Sequence, residues 1–195
     1  MAPWLVVGLG NPGPAYAGHR HNVGYRVVEE LAGRLSSRFT PLRGIRAEVA
    51  EGRLGDPGAD SPRIVLAKSR TFMNDTGGSV SRLLAYYKLN LDRMVVVHDE
   101  LDIDPGQLRV KRGGGDNGHN GLRSIRASLG GAGDFYRVRV GVGRPPGRQD
   151  PADFLLSNFP GGARELVALE VDRAADAVES LVSVGLERTQ NLFNS

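Results

Sequence analysis

The chain of 195 residues contains no cysteine. That removes disulfide frameworks, thiolate-bound zinc and thiol nucleophiles before any motif is read, and it suits a reducing cytoplasm. Long apolar runs are missing as well. Stretches such as residues 4–7 and 94–97 are far shorter than the roughly 20 residues that cross a bilayer. The N-terminus does not show a basic region, an apolar core and a small-residue cleavage site in series, so neither a secretory leader nor a membrane role is expected. A strong excess of one charge is the third absence: 25 Lys and Arg stand against 22 Asp and Glu, a formal net charge of +3. Taken globally, this says little about a polyanionic partner.

What is present is unevenly spread. Residues 105–148 hold nine basic side chains (Arg109, Lys111, Arg112, Arg123, Arg126, Arg137, Arg139, Arg144 and Arg148) and two acidic ones, net +7, which leaves the remainder at −4. Eight of the nine are Arg, whose planar fork matches phosphate oxygens. A solvated basic face would have the same composition, so charge alone leaves phosphate recognition and a bland surface side by side.

Apolar strand-like runs at 5–7, 64–67 and 94–97 alternate with helical spacing such as Val23, Val27, Leu31 and Leu35. The alternation predicts an α/β fold. With no linker or repeat in view, one domain over residues 1–195 is expected. Asn22 is predicted to cap the first helix, and Asn74 or Thr76 to open a second that buries Val80, Leu83, Leu84 and Tyr87. Period-two alternation over 108–112 and 136–142 turns Leu108, Val110, Val138, Val140 and Val142 inward and Arg109, Lys111, Arg137 and Arg139 outward. A glycine-rich stretch at 113–121 leads into a short helix near 122–129, and 55–62 reads as a mobile turn. Leu166, Leu169, Ala174, Val178 and Leu181 mark the apolar side of a long helix over 163–186 with an acidic outer face.

Gly8-Leu9-Gly10-Asn11-Pro12-Gly13 follows a strand and fits the dinucleotide fingerprint G-x-G-x-x-G. The fingerprint also needs a helix that begins within the motif and an acidic residue ending the second strand. Here Pro12 and Pro14 interrupt the first turn, the next helical pattern waits until about Asn22, and Glu29 and Glu30 lie inside that helix. A dinucleotide is therefore not expected, and the glycines are read as shaping a tight turn that presents Asn11. The runs at 64–67 and 94–97 likewise lead to Asn74 and to His98-Asp99-Glu100. In open α/β sheets, sites form outside the carboxyl ends of the strands, so these polar residues are expected to converge. Singly, each has a dull reading: Asn74 as a cap, Asn11 as a turn residue, Asp99 as a loop carboxylate.

His21 lies just ahead of a helix, where the positive helix end favours a neutral, basic imidazole. Asp99 is suited to accept from its far ring nitrogen and fix the tautomer, as the carboxylate of a hydrolytic triad does. With no cysteine and no G-x-S-x-G elbow, water is the expected nucleophile. On position alone, His21 would be an ordinary loop histidine. His19, His98 and His119 complete the histidines, but no H-x-x-x-H or H-E-x-x-H spacing appears, so no metal is expected. Amides of the 113–121 loop could cradle a phosphate or a substrate chain, and a merely flexible loop would look the same.

Val7-Gly8-Leu9-Gly10-Asn11-Pro12-Gly13, Arg20-His21-Asn22-Val23-Gly24, Thr71-Phe72-Met73-Asn74, His98-Asp99-Glu100-Leu101-Asp102 and Gly118-His119-Asn120-Gly121-Leu122 occur in this order. Together they resemble the successive signatures of bacterial-type peptidyl-tRNA hydrolases. The resemblance is close over residues 4–142 and weaker in the C-terminal helix. It implies a single α/β domain with a twisted mixed central sheet flanked by helices, monomeric and free of cofactor, that cleaves the ester between peptide and tRNA. It makes His21 the general base and Asp99 the group that holds it in its basic form, in agreement with the residue-level reading. It further implies that Asn11 separates N-blocked aminoacyl-tRNA from the free-amine form, and that Asn74, His119 and Asn120 bind the peptide or terminal ribose side. Tyr16 and Phe72 would contact the tRNA end, and Arg109, Lys111 and Arg139 the tRNA backbone. Two departures stand out: His19 where such proteins commonly have threonine, and Asp116-Asn117 within the glycine loop.

Overall fold

The first strand, β1 (Trp4–Gly8), has Leu5, Val6 and Val7 all buried, as a strand covered on both faces must be. The computed structural model, which describes residues 2–56, 58 and 60–194, continues with α1 (Val23–Arg34), β2 (Thr40–Pro41), β3 (Ala47–Arg53), β4 (Arg63–Ser69) and α2 (Thr76–Tyr87). There follow β5 (Met94–Glu100), β6 (Leu108–Arg112), α3 (Asn120–Ser128), β7 (Tyr136–Gly141), α4 (Pro151–Leu155), α5 (Arg164–Val184) and α6 (Leu186–Phe193). The strands form one sheet in the order β2-β3-β4-β1-β5-β7-β6. β4, β1, β5 and β7 run parallel, and the outer strands pair antiparallel. The fold is thus a single α/β domain with a mixed seven-stranded sheet.

Alternation along the strands sorts the core into two layers. Val6, Val95, Val97 and Val138 face α1 and α5, while Leu5, Val7, Val96 and Met94 face α2 and α3. β1 leads to α1 on one face of the sheet and its neighbour β4 leads to α2 on the other, so the chain leaves these adjacent ends in opposite directions, and the crevice that opens there is the expected place for a site. Close backbone approach brings α1 to that crevice. A Cβ on Gly8 would stand 2.2 Å from the Gly24 carbonyl oxygen, and one on Gly24 would stand 2.3 Å from that of Val97. The first glycine of the fingerprint therefore serves helix-to-strand packing.

Several expectations need correction. Arg137 does not point outward: it is 1% exposed, because the 113–118 loop folds over its side of β7 and accepts its hydrogen bonds. Leu166 and Leu169 are exposed, and the buried stripe of α5 runs instead through Val167, Val171, Ala174, Val178 and Leu181. Asn22 occupies the N-cap position of α1 but makes no capping bond, since its side chain is used elsewhere. β2, β3, α4 and α6 have no counterpart among the expected elements. The turn expected at 55–62 is closed by Leu54 N–H to the Pro62 carbonyl at 3.0 Å, and residues 57 and 59 within it lie outside the described residues. Among the described residues, no helix is long and apolar enough to cross a membrane.

Candidate active site

Three strand ends bring their residues to one place. Beyond β1, Asn11 is held by Asn22, whose Oδ1 accepts from the Asn11 N–H at 2.9 Å while its Nδ2 donates to the Asn11 carbonyl at 2.8 Å. Beyond β4, the Met73 N–H donates to Asn11 Oδ1 at 2.7 Å. With that oxygen engaged, Asn11 has its Nδ2 donor to offer a ligand. Asp99, still within β5 and 1% exposed, accepts from two imidazoles. His21 Nδ1 lies 2.7 Å from its Oδ2, and His119 Nε2 lies 2.8 Å from its Oδ1.

The tautomers follow from the partners. His119 is the N-cap of α3, and its Nδ1 accepts from the Gly121 N–H at 3.1 Å and, more weakly, from the Leu122 N–H at 3.4 Å. A ring nitrogen that accepts carries no proton, so in neutral His119 the proton sits on Nε2 and is donated to Asp99. His21 donates from Nδ1, which leaves its Nε2 as an unprotonated base on the opposite edge of the ring. His21, Asp99 and His119 are also the three-residue group whose ligand atoms lie within 4.8 Å of one another. Both nitrogens that face the carboxylate already act as N–H donors, so a metal would have to displace two protons. The arrangement suits proton chemistry.

Burial alone would raise the Asp99 carboxyl, but the two histidines outweigh it and hold the group well below the usual carboxylate range. For His21 burial acts against the charged form, and the charge and hydrogen bond of Asp99 prevail to raise its pKa. The sequence reading relies on the helix end to favour neutrality. Here the nearby carboxylate acts in the other direction and makes His21 a stronger base. Next to them His98, 1% exposed, is pushed down to about 3 by burial and then by His119.

His21, His119, Asn11, Asn74 and Asn120 line a cavity of about 270 Å³ with Phe72 and with Ala152, Leu155 and Leu156 of the α4 segment. Asn74 and Asn120 also border an open groove of about 690 Å³ between α2 and α3. Tyr16 packs edge-on against Phe72, ring centroids 5.7 Å apart, and Phe72 is 54% exposed. Arg109, Lys111 and Arg139 are not brought to this cavity. They lie on β6 and β7, where Arg109 is paired with Arg139 and Lys111 with Arg137. Sequence reasoning missed α4 as a wall, although Asp150 before Pro151 is a helix-start signal and Asp150 Oδ1 does accept from Ala152 N–H at 2.8 Å. It also missed the clasp of Asn22 on Asn11, for which only the cap reading was available.

A family model described as peptidyl-tRNA hydrolase matches residues 5–195. The chain belongs to the peptidyl-tRNA hydrolase family. Peptidyl-tRNA hydrolase from Streptomyces coelicolor is 56% identical over the whole of this chain and 96% of its own length, and that from Cutibacterium acnes is 53% identical over the whole of both. Among solved structures, peptidyl-tRNA hydrolase from Acinetobacter baumannii superposes with a TM-score of 0.86 at 33% identity, covering all of this chain and 96% of that one. The family's reaction is hydrolysis of an ester, which needs an activated water, a place for the oxyanion and a surface for RNA. In this member of the family, the cavity beside His21 offers a base and three asparagine amides, and the sheet edge offers cations.

Proposed function

We propose that His21 is the general base, and Asp99 the group that orients it, in the reaction by which the chain hydrolyses peptidyl-tRNA and frees the tRNA. His21 Nε2 takes a proton from water, the oxygen adds to the ester carbonyl, and collapse expels the ribose oxygen, which receives the proton back from the imidazolium. Asp99 stabilises that imidazolium, and His119 keeps Asp99 ionised and in place. The observation that carries the reading is the 2.7 Å bond from His21 Nδ1 to Asp99, which turns the basic edge of the ring toward the cavity His21 lines.

Asn74 and Asn120 are the candidates to steady the oxyanion, since both border the same cavity. Asn11 is the candidate for discrimination. An N-blocked aminoacyl group carries an acyl carbonyl that can accept from Asn11 Nδ2, whereas a free ammonium offers only donors and would face another donor. Phe72 and Tyr16 would pack on the terminal nucleotide, and Arg109, Lys111 and Arg139 would meet backbone phosphates. All these residues come from one chain, so a monomer suffices.

The test is turnover of diacetyl-lysyl-tRNA and of lysyl-tRNA. The wild type should release tRNA from the blocked substrate and spare the free-amine form. His21→Ala should lower kcat by about 10² to 10⁴, the range a positioned general base contributes. Parental turnover by that variant would remove His21 from the mechanism.

A further inference from the structure

The α4 helix has five residues, too few to persist on its own, yet Ala152, Leu155 and Leu156 from this segment line the cavity beside His21. What fixes it is the residue before the base. Arg20 Nη1 donates to Ser157 Oγ at 2.7 Å and to the Asn158 carbonyl at 3.0 Å, with the Phe154 carbonyl at 3.5 Å. Its guanidinium lies over the Phe154 ring, 4.0 Å from the centroid, with Phe159 at 5.5 Å. The backbone joins in: Arg20 N–H donates to the Ser157 carbonyl at 3.0 Å, and His19 pairs with Asn158 as an antiparallel bridge. Among the described residues, Arg20 has no carboxylate partner. Its donors are directed at one segment.

We infer that Arg20 is a positioning residue for substrate binding, which pins α4 as the wall of the cavity and couples that wall to the strand of chain that carries His21. The inference rests on the cavity beside His21 being where the ester is cut. Arg20 acts through α4, because its guanidinium is engaged there while the His21 ring is engaged with Asp99. Loss of Arg20 therefore loosens the wall against which the aminoacyl side of the substrate packs and leaves the base and its tautomer as they are. The signature is a rise in KM with kcat retained.

The experiment is steady-state kinetics on diacetyl-lysyl-tRNA across pH for the full chain carrying Arg20→Ala, and Arg20→Lys as a milder variant, with thermal melts of each. Losing hydrogen bonds from a charged donor should raise KM by about 10-fold in Arg20→Ala. Arg20→Lys should fall between, and the acid limb of kcat should not move. A KM left at the parental value in folded protein overturns the proposal. So does a fall in kcat with a displaced acid limb, which would mean that Arg20 acts on His21 itself.

A disulfide supplies the rescue. The Arg20 to Ser157 bond makes His19 and Asn158 a non-hydrogen-bonded antiparallel pair, whose Cα separation of about 4.5 Å is within disulfide reach. The chain has no cysteine to interfere. In the Arg20→Ala background, His19→Cys with Asn158→Cys should show a lower KM oxidised than the same protein reduced. Equal values in the two redox states would show that pinning α4 is not how Arg20 works. His21→Ala serves as the separate control: turnover surviving there would sink the base assignment and leave the KM comparison standing.

Discussion

Asp99 decides the charge state of the whole site. Its carboxylate takes a proton donor from each side, His21 on Oδ2 and His119 on Oδ1, and is almost fully buried. His119 cannot reverse its role while its Nδ1 holds the start of α3. The carboxylate raises the His21 pKa against the opposing effect of burial. A base must be unprotonated, so activity should fall as pH drops through that raised pKa, which puts the acid limb of kcat/KM above the ordinary histidine value of about 6.5. Asp99→Asn removes the charge and leaves burial dominant, so the limb should move below about 6.5. The amide NH2 would also face His21 Nδ1 and force the proton onto Nε2, and the rate should fall by about 10⁴, as for the same change in a serine-protease triad. A pH profile of the variant with its limb unmoved would mean that Asp99 does not set the base.

At the scale of elements, the site depends on how closely α1 approaches the sheet. Gly24 meets only backbone: a Cβ there would lie 2.3 Å from the Val97 carbonyl oxygen and 2.6 Å from Leu9 N. No side chain can swing away, so Gly24→Ala has to push α1 off the strand ends. Overpacking of this kind destabilises by about 1–3 kcal/mol. His21 is three residues ahead of Gly24, so activity should fall as well. Urea melts should show a lower midpoint, and kcat of the folded fraction should be reduced; a parental melt would contradict the close approach. Elements are legible in the sequence where one physical effect acts alone. β1, β4 and β5 are buried on both faces and so announce themselves as apolar runs. β3 carries Glu48, Glu51 and Gly52, and pairing with its neighbours β4 and β2 makes it a strand. The apolar face of α5 is misplaced by the sequence pattern because Leu166 lies about 100° round the helix from Val167, and the sheet selects the valine stripe. Asn11 and Asp99 can be read from strand ends, and His21 from its place ahead of a helix together with the motifs around it; the hold of His119 on Asp99 and of Asn22 on Asn11 cannot, since neither pairing has a local signature.

Over the whole molecule, part of the basic third seen in the sequence, Arg109, Lys111 and Arg139, lies together on the two strands at one edge of the sheet. β6 is the edge strand, and α6 covers it at Val110. Asn194 Oδ1 accepts from the Val110 N–H at 2.7 Å, and the Val110 carbonyl accepts from Asn194 Nδ2 at 3.0 Å and Gln190 Nε2 at 3.1 Å. The C-terminal helix thus fixes the strand that carries Arg109 and Lys111. Arg109 faces Arg139 and Lys111 faces Arg137 across the ladder, and like charges so placed repel. Burial, and after it Arg139 and Arg137, lowers the Lys111 pKa. Arg137 is engaged with the loop carbonyls of Gly114, Gly115 and Gly133, which leaves Arg109, Lys111 and Arg139 to meet an anion that would relieve the repulsion. If that anion is the phosphate backbone of tRNA, binding releases counterions and KM rises with salt. Replacing Arg109 and Lys111 by Gln should raise KM at low salt and flatten the dependence of log KM on log salt by about 0.7–0.9 for each phosphate no longer neutralised. kcat should stay near the parental value, because neither residue borders the cavity that holds His21. A salt slope unchanged in the double variant would place the RNA on another face.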